Sequence, residues 1–133
     1  HVACLRGASM ETLGNGARNY KIAPTIGTVG ERALQSIGLA ISSKRPVLCI
    51  VGNTALADGR FLEALNLAVS INAPVLFLVL ERNISTMPVA QLNISFNQTG
   101  LTVTKATSPS EVGMQVSSFD ANPTPTLVRV SID

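Results

Sequence analysis

Aromatic residues are scarce in this chain of 133 residues, which has no tryptophan, one tyrosine and four phenylalanines. With a single Tyr to stack on bases, and ten Lys and Arg scattered along the chain for a net charge of +2, it lacks the basic and aromatic surface that binds nucleic acid. Histidine occurs only as His1, a terminal residue expected to be solvated, so no internal side chain titrates near neutrality to serve as a general base. Cysteine is limited to Cys4 and Cys49, whose spacing fits no metal or redox motif; Cys49 lies in an apolar run, where it reads as a small buried hydrophobe. No run approaches the roughly 18 apolar residues that would span a bilayer, so no transmembrane segment is expected. Charge is also sparse, 14% against 46% hydrophobic residues, which is apolar for a free-standing domain and implies that other subunits cover part of the surface. There are no internal repeats and no heptads. The chain opens on His1 rather than Met, the mark of a processed, trimmed or partial product with room upstream for a targeting segment.

What the chain does have is a stretch from Leu48 to Thr86, LCIVGNTALADGRFLEALNLAVSINAPVLFLVLERNIST, around which the rest is organised. The apolar run Val47–Val51 stops at Gly52, an amphipathic segment follows with Phe61, Leu65, Ala68 and Val69 at helical spacing, and a second apolar run covers Val75 to Leu80. Continuous apolar runs suit strands covered on both faces, so this is a βαβ unit of a parallel sheet. Gly52 then lies at the carboxyl end of a strand, where open α/β sheets bind ligands, and free amides in its turn can hold phosphate oxygens.

The flanks are simpler. Residues 1–26 are glycine-rich with little periodicity and read as an extended segment wrapping a neighbouring surface, with 27–133 as the α/β core of a single domain. Thr28 or a neighbour caps a helix through Ile41, which Ser42 to Arg45 end and Pro46 blocks. Glu81 to Gly100 reads as a polar surface loop and Leu101 to Thr104 as a strand. Ser108, Pro109 and Glu111 start a helix to about Phe119, and Thr126 to Ile132 forms a final strand. Asp58 is an N-cap or first-turn acid. Arg6, Arg18, Arg60 and Arg82 read as solvent or interface charges.

Several stretches are specific enough to resemble a known family. CIVGN at 49–53, GRFLEALNLA at 59–68, APVLFLVLE at 73–81 and NISTMPVAQ at 83–91 are similar to the thiamine-diphosphate-binding core of the alpha subunit of the decarboxylase component of 2-oxo acid dehydrogenase complexes. LRGASM at 5–10 resembles that family's glycine-rich segment, and GTVGERALQSIGLA at 27–40 resembles the helix start under the cofactor's aminopyrimidine ring. Gly100 to Val103 and PTPTLVRVSI at 123–132 match the last two strands in character. The resemblance implies an α/β fold of three layers, a parallel sheet of about four or five strands with helices on both faces, as a reduced thiamine-diphosphate-binding domain.

Carried over position by position, the resemblance implies Thr28 and Val29 at the aminopyrimidine, and Gly52, Asn53, Thr54, Ala55 and Asn83 at the diphosphate. Asn53 and Asn83, thirty residues apart, would be the metal ligands. The family's motif opens Gly-Asp-Gly, whereas Gly52-Asn53-Thr54 stands here. Asn53 offers a carbonyl oxygen but no charge, and Thr54 adds a β-branched side chain beside the diphosphate path. The family's insertion before Ile-Ser-Thr is missing after Asn83, and its loop of catalytic histidines follows the last strand, whereas this chain ends at Asp133. Glu63 and Asn66 recur in the family's helix, either in the site or bonding to a neighbouring subunit. Gly27 and Gly30 either approach the aminopyrimidine or allow a tight start to the helix.

Two functions follow. One is a non-catalytic, self-assembling structural subunit that keeps the packing and has lost the ligands, forming a homo-oligomer or joining other subunits. The other is an active small alpha subunit that binds magnesium and thiamine diphosphate and works with a beta-type partner in oxidative decarboxylation of a 2-oxo acid. Family-like use implies a mitochondrial or cytoplasmic chain. The sequons at Asn83, Asn93 and Asn97 would instead be decorated in an exported one.

Overall fold

The computed structural model of the chain describes residues 2–4, 22–23, 27–82 and 100–132. Its strands are β1 (Val2–Cys4), β2 (Ile22–Ala23), β3 (Val47–Gly52), β4 (Val75–Arg82), β5 (Thr102–Ala106) and β6 (Thr126–Ile132). Its helices are α1 (Val29–Ser43), α2 (Gly59–Ser70) and α3 (Pro109–Ala121), with a 3₁₀ turn at Asn53–Ala57 between β3 and α2. All strand pairs are parallel, in a six-stranded sheet of order β2-β1-β3-β4-β6-β5. The four longer strands, β3 to β6, meet the expected count of four or five, and the short β1 and β2 extend the sheet at one edge. The extra pairing comes from the N-terminal region read as an extended wrapping segment, where Val2 to Cys4 lie beside Val47 to Cys49, and Ala3 and Cys4 beside Ile22 and Ala23. Strands this short carry no readable period, so only the sheet edge reveals them.

The two faces of the sheet are covered by different helices for a topological reason. Chain travel from β2 through β3 to β4 runs one way along the sheet, while β5 to β6 runs back. Right-handed crossovers then put α1 and α2 on one face and α3 on the other. The core divides accordingly. Ala33, Ile37 and Ala40 of α1 and Phe61, Ala64, Leu65 and Ala68 of α2 pack on Val47, Cys49, Val51, Val75, Phe77 and Val79. On the opposite face Phe119, with Val112 and Val116, covers Leu76, Leu78, Val128 and Val130. The near-continuous burial of β4 follows from cover on both faces.

Helix limits follow from capping chemistry. Thr28 closes a capping box with Glu31, and Lys44 ends α1 in the left-handed conformation. Asp58 caps α2. Ser108 caps α3, with Pro109 just inside, as the sequence predicts.

Candidate functional site

In a parallel α/β sheet a ligand site is expected where neighbouring strands send their connections in opposite directions. That condition is met between β1 and β3. β1 connects outward to edge strand β2, whereas adjacent β3 connects across to β4. The carboxyl end of β3 is Gly52, so topology and the sequence reading place the candidate site at the same turn.

Gly52 is buried and extended, and Asn53 to Ala57 follow as a 3₁₀ turn whose start has no side-chain cap. Asn53 and Thr54 are half-buried. Ala55 is fully buried with Leu56 in the core, so only its backbone is left to face a ligand. Thr54 does not take a positive φ, so the turn accommodates a β-branched residue without the strain a left-handed backbone would impose. Asn83 and the other two sequon asparagines, Asn93 and Asn97, lie outside the described residues, as does the segment 5–10.

The start of α1 converges on this turn. Thr28 is exposed and Val29 is half-buried against the α1–α2 core. The Thr28 hydroxyl accepts from the Glu31 amide at 3.5 Å and from Arg60 Nη1 at 3.3 Å, while the Thr28 amide donates to Glu31 Oε2 at 2.7 Å. Arg60, read from sequence as a solvent or interface charge, forms an exposed ion pair with Glu31 at 2.6 Å. The acid at Asp58 does more than cap its own helix. Its Oδ1 accepts from the Arg60 amide and its Oδ2 from the Gly30 amide, both at 3.0 Å, so one carboxylate serves two helix N-termini.

The glycines of the α1 start have structural reasons within the chain. Gly27 has φ +93, and a Cβ there would meet the Glu31 carboxylate at 2.0 Å. Gly30 lies against α2, where an added Cβ would be 2.6 Å from Arg60 Cβ and 2.7 Å from Asp58 Oδ2. Of the two roles open to them in the sequence, a tight helix start is thus required at both. Glu63 and Asn66 lie on the exposed side of α2.

On the α1–α2 face at the carboxyl end of β4, Glu81 accepts a hydrogen bond from Arg129 Nε, and both side chains are about three-quarters buried. Glu31, Asp58 and Glu81 are therefore each engaged by groups of their own chain. Among the described residues no group of three His, Cys, Asp or Glu side chains could hold a metal ion.

Residues 5–106 match the family profile of the dehydrogenase E1 component. The chain belongs to this family. The match runs through β2, α1, β3, α2, β4 and β5, and thus includes the Gly52 turn and the α1 start. No curated protein matches the chain. The fold is accordingly the α/β fold of E1 proteins, whose members bind thiamine diphosphate and whose subunits work in assemblies. No described helix of this E1-type chain is long and apolar enough to cross a membrane.

The described part of the Gly52 turn does not fit a magnesium diphosphate well. A hard dication bridging two phosphates favours anionic oxygen ligands, and the turn supplies the neutral Asn53. Asp58 could approach only by giving up the amides of two helices.

Proposed function

We propose that this E1-type chain is a non-catalytic structural subunit that associates with itself through the helical face of the domain. The observation that carries the reading is the state of the carboxylates around the Gly52 turn. Asn53 is neutral where the family resemblance calls for an acid, and Glu31, Asp58 and Glu81 are held by Arg60 and Thr28, by the amides of Gly30 and Arg60, and by Arg129. An E1 fold is thus kept with these three carboxylates bonded within the chain.

Support for self-association comes from the far end of the same helices. Ile41, Leu67 and Ile71 are 56%, 42% and 45% exposed; Ile41 and Leu67 lie in the last turns of the neighbouring helices α1 and α2, and Ile71 caps the end of α2. Large aliphatic groups gathered at one end of a helical layer mark a contact surface. Light scattering of the chain at micromolar concentration tests this. An oligomer is expected, with dissociation when Ile41 and Ile71 are both replaced by Glu; a monomer from the unchanged chain refutes it.

A second reading draws on the 3₁₀ turn after Gly52, whose first amides have no side-chain acceptor among the described residues. On that reading Asn53, Thr54, Ala55 and Asn83 hold magnesium and thiamine diphosphate, Thr28 and Val29 border the aminopyrimidine, and a beta-type subunit completes an active site for oxidative decarboxylation of a 2-oxo acid. Cofactor binding by the unchanged chain separates the two.

A further inference from the structure

The geometry points to Asp58 and Arg60 as positioning residues that lock the start of α1 to the β3–α2 connection, so that the chain itself sets the spacing between Thr28–Val29 and Asn53–Ala55. These are the stretches that the family resemblance assigns to the two ends of the cofactor. The inference rests on that placement of the site and not on whether cofactor binds.

The lock is built from long-range contacts between short polar segments. Gly30 donates to Asp58, 28 residues further along the chain, and Arg60 reaches Glu31 and Thr28, 29 and 32 residues back. Asp58 meanwhile stays bonded to the Arg60 amide, so its two oxygens tie the first turn of α1 to the first turn of α2. Positive helix ends that face one another repel, and a shared carboxylate relieves both. Elsewhere a bound phosphate commonly fills that role at a helix N-terminus.

Four of the five amides from Thr28 to Arg32 consequently have partners within the chain. Thr28 donates to Glu31, Gly30 to Asp58, Glu31 to Thr28 Oγ1, and Arg32 to the Thr28 carbonyl. The absence of a side chain at Gly30 is what permits the approach, since a Cβ would collide with both Asp58 and Arg60. A glycine on one helix and an acid on the other therefore form one device.

Amide hydrogen exchange, residue by residue, tests the lock in Asp58→Ala, Asp58→Asn and Arg60→Gln variants of the full chain. In Asp58→Ala the Gly30 and Arg60 amides should both exchange roughly tenfold faster or more, while the middle of α1 at Ile37 is unchanged. A residue that merely caps α2 would accelerate Arg60 alone, and that result overturns the inference. Asp58→Asn retains one acceptor oxygen, so one of the two amides should lose its protection; full protection at both refutes the shared carboxylate. Arg60→Gln removes only an exposed side chain and keeps the test readable if Asp58→Ala does not fold. Its expected effect is several-fold faster exchange at Thr28 and Glu31, shrinking as salt is added, and no change there counts against Arg60. Light scattering on the same samples reports assembly separately, so failure of self-association and failure of the lock are told apart.

Discussion

Two glycines in one helix should respond in opposite directions to the same substitution. Gly30 and Gly38 both lie in α1, and replacing either with Ala removes backbone freedom from the unfolded chain, a gain of about 0.5–1 kcal/mol at a permissive site. At Gly38 an added Cβ meets nothing within 4 Å, so that gain should appear in full. At Gly30 the Cβ would sit 2.6 Å from Arg60 Cβ, against about 3.5–4.0 Å for carbon atoms in comfortable contact. Relief requires α1 to withdraw from α2 by about 1 Å, which stretches the 3.0 Å bond from the Gly30 amide to Asp58 beyond useful range. Overpacking costs about 1–3 kcal/mol, and a hydrogen bond to a charged acceptor about 1.5–3 kcal/mol. Offset by the helical gain, Gly30→Ala should destabilise by about 2–5 kcal/mol, while Gly38→Ala stabilises by up to about 1 kcal/mol. Urea denaturation of the variants beside the parent measures both, with unchanged m-values required for the comparison. A neutral or stabilised Gly30→Ala would refute the close α1–α2 approach. A destabilised Gly38→Ala would show that something outside the chain fills the space above α1.

The core and the last helix give two more tests. Phe61 is fully buried and meets Phe77 edge to face at 5.7 Å between ring centroids, so Phe61→Ala should cost about 3–5 kcal/mol in the same denaturation assay. A cost below about 1 kcal/mol would contradict that packing. The Thr107 backbone amide and then its hydroxyl donate to Glu111, holding its carboxyl below the usual carboxylate range. A carboxyl whose folded pKa is depressed stabilises the fold above its unfolded value, about 4.3 for Glu, and that contribution is lost as pH falls through the folded value. Glu111→Gln should therefore be less stable than the parent at neutral pH, with the gap closing in strong acid; a gap independent of pH would refute it.

Much of the sheet is legible in the sequence because β3 and β4 are continuous apolar runs, and α1 and α3 carry Ser or Thr caps with Glu three residues on. Val2–Cys4 and Ile22–Ala23 escape because they are too short to show a period and are strands only by virtue of their neighbours. The candidate site divides along the same line. Gly52 is readable as the glycine that ends an apolar run, and Asp58 as an acid just before a helix. That Asp58 also holds Gly30, and that Arg60 bonds to Glu31 and Thr28, depends on α1 and α2 packing side by side. One signal did exist: Gly30 interrupts an otherwise good helix start, and glycine there implies something close by. It could not say whether that neighbour was a ligand ring or another helix.

Calorimetric titration of thiamine diphosphate with magnesium into the purified chain, repeated with Asn53→Asp, bears most directly on function. If the chain is a structural subunit with its carboxylates engaged within the chain, the unchanged protein gives no heat of binding, whether or not the added charge in Asn53→Asp restores some. Micromolar binding by the unchanged chain would contradict that reading.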